Sequence, residues 1–113
     1  EELRVIGVDG GESRLLYRDE EADVNPEEWS EDGSQILVNI WRHEGVRQLG
    51  LVSADDGSLR VVRTLPFSGV YITESTLSPD GRFVLYDWQT DPDGEERISR
   101  IHWILSLLSM QPK

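Results

Sequence analysis

The sequence predicts an all-β fold assembled from antiparallel hairpins that recur along the chain, and three observations carry that expectation. Two polar turns ending in Asp-Gly, at Asp32-Gly33 and Asp80-Gly81, lie 48 residues apart. Each is followed by an apolar, β-branched or aromatic run, residues 35–41 and 83–88. A further hairpin signal, Asp55-Asp56-Gly57-Ser58, falls between them. Asp-Gly suits a tight hairpin because glycine takes positive φ without a Cβ clash.

Taken in order, residues 3–8 and 13–17 flank Asp9-Gly10-Gly11-Glu12 and read as a first hairpin. Trp29-Ser30-Glu31-Asp32-Gly33-Ser34 then turns the chain into the apolar run that ends at Trp41. Residues 49–52 and 59–62 flank Asp56-Gly57 as the next hairpin. In Leu77-Ser78-Pro79-Asp80-Gly81-Arg82 the proline presets φ for the turn. Gly10 and Gly33 are 23 residues apart and Gly57 and Gly81 are 24 apart, so one phase runs through the chain. Near the end, Ile98, Ile101, Leu105 and Leu108 have helical spacing, whereas a strand puts Ile101, Trp103, Leu105 and Leu107 on one face. The repeat phase favours the strand. Residues 1–20 therefore read as the last two strands of a first unit, 21–66 as a complete four-stranded unit, and 67–113 as an incomplete third.

The pattern Trp/Leu-Ser-Glu/Pro-Asp-Gly followed by a buried run resembles the TolB-like repeat of WD-repeat-like β-propellers. That repeat also occurs in the propellers of prolyl-oligopeptidase-type and tricorn-type peptidases. One copy here departs at the proline (Glu31), the other at the tryptophan (Leu77). The resemblance spans about residues 3–106 and implies antiparallel four-stranded β-propeller-type blades, about two and a half of them, in an incomplete propeller. After Leu107-Leu108-Ser109 no hairpin glycine follows, and the chain opens on Glu1-Glu2-Leu3, so it reads as a processed or excised piece.

Composition narrows the function classes. With 22 acidic against 11 basic residues the formal charge is −11, which repels nucleic acid and anionic membranes. Arg42, Arg47, Arg60 and Arg63 are too scattered to form a nucleic-acid patch. No cysteine is present, which excludes disulfides, thiolate metal sites and a cysteine nucleophile. The longest apolar run, residues 103–105, is far short of the roughly 18 residues a helical membrane span needs, so no membrane insertion is expected.

Candidate chemistry is sparse. A serine hydrolase needs a base beside its nucleophile, but His43 and His102 are the only histidines and no Gly-x-Ser-x-Gly elbow accompanies them. Both read as ordinary hairpin and surface residues. The carboxylate pairs Glu20-Glu21, Glu27-Glu28, Asp55-Asp56 and Glu95-Glu96 read as solvated loop charge. Asp91, Asp93 and Glu95 offer oxygen ligands in one short turn, as calcium prefers, yet lack the rest of an EF-hand loop. A plain hairpin turn is the competing reading. Residues 7–11 are no phosphate loop, because no Lys-Ser/Thr follows.

The expected function is a non-catalytic protein-interaction or assembly module, with no enzyme activity and no cofactor. Blades bury their faces against neighbours, so two alone leave apolar faces and strand edges open. Trp41, Phe83, Tyr86, Trp88 and Trp103 are expected to be hard to cover within the chain. The expected partner is a protein or peptide, or further copies of the chain completing the propeller by self-association. The alternative is an accessory, substrate-gating propeller of a prolyl-oligopeptidase-type peptidase whose catalytic domain lies elsewhere. The resemblance implies a periplasmic or extracytoplasmic location, with a cytoplasmic one left open.

Overall fold

The structure, a computed structural model, describes residues 1–65, 70–90 and 99–106. The described residues are all-β, with strands β1 (Glu2–Val5), β2 (Arg14–Arg18), β3 (Ala22–Trp29), β4 (Gln35–Arg42), β5 (Arg47–Ser53), β6 (Leu59–Leu65), β7 (Val70–Leu77), β8 (Phe83–Thr90) and β9 (Ser99–Ser106). They form three antiparallel sheets in sequence order: β1-β2, then β3-β4-β5-β6, then β7-β8-β9. The segment around Ile101 and Leu105 is a strand, as the repeat phase indicates and against its helical spacing.

The central sheet is buried on both faces, which explains why β4 reads as an almost unbroken apolar run. Side chains alternate along a strand. Ile36, Val38 and Ile40 face the first sheet and pack with Leu3, Leu16 and Val24. Leu37, with Leu49, Leu51 and Val62, faces the third sheet and packs with Ile72, Val84 and Tyr86. Each fully buried aliphatic side chain contributes roughly 1.5–3 kcal/mol over an exposed one. Tyr86, expected to be hard to cover, is buried in this second cluster, whereas Trp41 stays 44% exposed beneath the Arg47 guanidinium, 3.9 Å from its ring centre.

The 48-residue repeat extends to strand pairing. Val24↔Ile40, Glu28↔Leu37 and Trp29↔Ile36 in β3-β4 become Ile72↔Trp88, Thr76↔Leu85 and Leu77↔Val84 in β7-β8. A β-bulge interrupts both pairs, between Pro26 and Glu28 in the first and, slightly earlier in the repeat frame, between Ile72 and Ser75 in the second. Such a bulge bends the strand and redirects its side chains.

The β5-β6 turn ties the first two sheets together. Gly57 has φ +75°, and a Cβ there would stand 1.9 Å from the Leu16 carbonyl oxygen of β2. Arg14 on β2 donates from Nη2 to the Ala54 carbonyl of that turn at 2.8 Å. Only glycine allows both the left-handed backbone and this approach.

Candidate functional site

The turn residues singled out in the sequence form three closed hydrogen-bond knots. In the first, Asp32 Oδ1 accepts from the Ser34 hydroxyl at 2.7 Å, the Ser34 amide at 2.9 Å and the Ser30 hydroxyl at 2.8 Å. Ser30 Oγ in turn accepts from the Gln35 amide at 3.0 Å. The second is the same knot: Asp80 Oδ1 accepts from the Ser78 hydroxyl at 2.6 Å and the Arg82 amide at 3.0 Å, and Ser78 Oγ accepts from the Phe83 amide at 3.0 Å. In the third, Asp56 Oδ1 accepts from the Ser58 amide and hydroxyl at 3.0 and 2.8 Å. Gly33, Gly57 and Gly81 all have positive φ, between 72° and 75°.

These donors favour the charged carboxylates. The Ser34 hydroxyl, its amide and the Ser30 hydroxyl hold the Asp32 carboxyl at about 2. Asp80 is lowered by the Ser78 hydroxyl and then the Arg82 amide, and Asp56 by the Ser58 amide and then its hydroxyl. A carboxylate so engaged is an architectural acceptor rather than a base. The first and second knots border one open cleft of about 420 Å³, lined by Glu31, Asp32, Ser34, Pro79 and Asp80 among others.

A different set of polar groups occupies the seam where β3 and β4 meet β7. Glu28 Oε2 accepts from the Leu77 amide at 2.8 Å, and Asn39 Nδ2 donates to the Ile72 carbonyl at 3.0 Å. Both bonds cross from the second sheet to the third. Asn39 and Ser75 are each 5% exposed, and Asn39 Oδ1 and Ser75 Oγ find no hydrogen-bond partner among the described residues. Glu27, on the β3 bulge, and Glu74, on the β7 bulge, are exposed residues beside them. The Glu27 carboxyl is pushed up by partial desolvation; a hydrogen bond from Asn39 opposes this, and the Glu74 charge adds to it. Asp87, at the repeat position of Asn39, is likewise buried, and its Oδ1 accepts from the Glu74 amide at 3.2 Å.

The surroundings of the two repeat copies differ. Leu37 is fully buried between the second and third sheets, while its repeat mate Leu85 is 47% exposed on the outer face of the third. At the other end Trp29 is 50% exposed beside a cleft lined by Leu3, Val5, Pro26 and Ile36, while its mate Leu77 packs on the core. Among the described residues the first sheet has two strands, β1 and β2, and β1 lines the cleft beside Trp29.

Of the remaining sequence candidates, Asp91, Asp93 and Glu95 lie outside the described residues. His43 sits exposed in the β4-β5 turn, its Nε2 3.4 Å from Asp23 Oδ1, and His102 lies on β9 opposite Asp87 in register. Glu27 and Glu28 are strand residues of β3, not loop charge. The seam escaped the sequence reading because Pro26, Glu27 and Glu28 obscure the strand. The signal that points to it is Asn39, a lone polar residue inside an apolar run, echoed 48 residues later by Asp87. Among the described residues no group of three or more His, Cys, Asp or Glu side chains is placed to hold a metal ion. Compared with family models, curated proteins and solved structures, the chain matches none.

Proposed function

We propose that the chain is a run of TolB-like propeller blades that acts as a non-catalytic assembly module, docking a second copy of itself on the outer face of its third sheet. The observation that carries this reading is the pair Leu37 and Leu85. They share one position in matching strands, and the first is fully buried against a neighbouring sheet while the second is 47% exposed. The packing of the second sheet on the third supplies the pattern for the missing contact, namely an apolar sheet face with a polar bond at its inner end. Continuing the pattern past the third sheet buries Leu85 as Leu37 is buried. A head-to-tail contact of this kind generates rings or filaments according to whether the rotation closes.

The absence of native cysteines gives a clean test. A nitroxide attached at Leu85→Cys should lose mobility as protein concentration rises, while one at Glu20→Cys should not. Mobility at Leu85→Cys that is independent of concentration contradicts the docking.

A further inference from the structure

We infer that Asp9 is a site of spontaneous isoaspartate formation, and that the hydrogen-bond knots protect the three Asp-Gly pairs of the repeat from the same reaction. Four Asp-Gly pairs fall among the described residues: Asp9-Gly10, Asp32-Gly33, Asp56-Gly57 and Asp80-Gly81. A fifth, Asp93-Gly94, lies outside them. Glycine has no Cβ to shield its nitrogen, so each pair carries the groups for attack of that nitrogen on the preceding carboxyl carbon. The nitrogen is held alike in all four. Gly10 donates to the Gly7 carbonyl at 3.0 Å, and Gly33, Gly57 and Gly81 donate to the Ser30, Ser53 and Ser78 carbonyls at 2.9 Å.

The carboxyl groups are what differ. Asp32 Oδ1 accepts three hydrogen bonds, and Asp56 Oδ1 and Asp80 Oδ1 accept two each. Asp9 is exposed, and its carboxyl accepts no hydrogen bond among the described residues. Each donor in a knot aims the carboxyl at the amide two residues on and favours its charged form. The reaction needs the opposite, a carboxyl free to turn and to shed a hydroxyl. The step is a dehydration followed by a hydrolysis. The Gly10 nitrogen bonds to Asp9 Cγ, and its proton leaves with a carboxyl hydroxyl as water, which closes a five-membered imide. Water then adds to the imide carbonyl that was the Asp9 main-chain carbonyl and breaks its bond to the Gly10 nitrogen. The chain now runs through Cβ and Cγ of residue 9, with its mass unchanged and nothing oxidised or reduced. The extra backbone methylene falls in the connection between Val5 and Arg14, the last register pair of β1 and β2. The inference does not depend on self-association.

The experiment ages the whole chain near neutral pH, folded in one sample and unfolded in urea in the other. Trypsin then separates the four pairs into peptides 5–14, 19–42, 48–60 and 64–82, and electron-based fragmentation tells isoaspartate from aspartate in each. In the folded chain Asp9 should convert at least roughly tenfold faster than Asp32, Asp56 or Asp80, the scale of about 1.4 kcal/mol in the barrier. In urea the knots are gone and the four rates should converge. A chain carrying both Ser30→Ala and Ser34→Ala, its fold checked by NMR, loses the two hydroxyl donors to Asp32. Its Asp32 should convert faster while Asp9 keeps its rate. Equal folded rates at Asp9 and the three knotted residues, or no acceleration of Asp32 on unfolding in urea, overturns the assignment. An unchanged Asp32 rate in the folded double variant overturns the protective role of the knot; should that variant unfold, the comparison with urea decides.

Discussion

Leu37 and Leu85 stand 48 residues apart in strands with the same register, the same preceding turn and the same bulged partner strand. One is wholly buried and the other is 47% exposed. Trp29 and Leu77 make the complementary pair, the first half exposed and the second packed on the core. Local chemistry is therefore repeated faithfully while surroundings are not. Burial here depends on which sheet lies next door, and a repeat at either end of the stack keeps one face without a neighbour.

Substitution at the matched leucines gives the largest expected contrast. Leu37→Ala removes packing from both the second and third sheets and should cost about 2–5 kcal/mol in denaturant unfolding. Leu85→Ala in the dilute protein should stay within about 0.5 kcal/mol of wild type. Similar losses at the two positions would mean that Leu85 is covered within a single chain.

The three turn glycines sharpen the comparison. Gly33 and Gly81 have positive φ with open space where a Cβ would go, so alanine at either should cost about 1–2 kcal/mol from backbone strain alone. Gly57 adds the Leu16 carbonyl at 1.9 Å, and Gly57→Ala should lose at least about twice as much in thermal unfolding. Equal losses at Gly57 and Gly81 would show that the β5-β6 turn does not sit on β2.

The fold was legible to the extent that turn chemistry is local. Asp-Gly at 32–33, 56–57 and 80–81 announces a hairpin in a few residues, and the apolar run of β4 announces a strand buried on both faces. Strand β3 was expected only from the repeat, as the first of four strands in residues 21–66; its own residues did not mark it, because Asn25, Pro26, Glu27 and Glu28 lack the alternation of a half-buried strand. Its conformation is imposed by β4 on one edge and by the Glu28-to-Leu77 bond across the seam. The seam itself depends on residues distant in sequence, Asn39 with Ile72 and Glu27 with Glu74, and such meetings leave no mark on local composition.

Acid sensitivity separates the turns from the seam, with opposite signs. Asp32 is depressed to about 2, so its contribution to stability is complete above the ordinary aspartate value of about 3.9 and is lost as pH falls through 2. The melting temperature should drop across that window, and the drop should be shallower in Asp32→Asn. A drop of equal steepness in the variant would remove Asp32 from the account.

The smallest effect belongs to Glu27, whose carboxyl is raised by desolvation. A raised carboxyl favours the folded state below its unfolded value and loses that advantage as pH rises through the folded one. Glu27→Gln should therefore melt at or slightly above wild type at pH 7, with the difference shrinking toward pH 4. A variant clearly less stable than wild type at pH 7 would mean that the charge is already compensated.

The central claim is that a face buried in one copy of the repeat and half exposed in the next is a face for assembly. Its most direct test is the solution mass of the 113-residue, 12.9 kDa chain by size exclusion with light scattering over a wide concentration range. The account predicts a mass that rises with concentration to a multiple of 12.9 kDa, and a rise that Leu85→Arg abolishes. A mass fixed at one chain throughout, with a single cooperative melt, would contradict it.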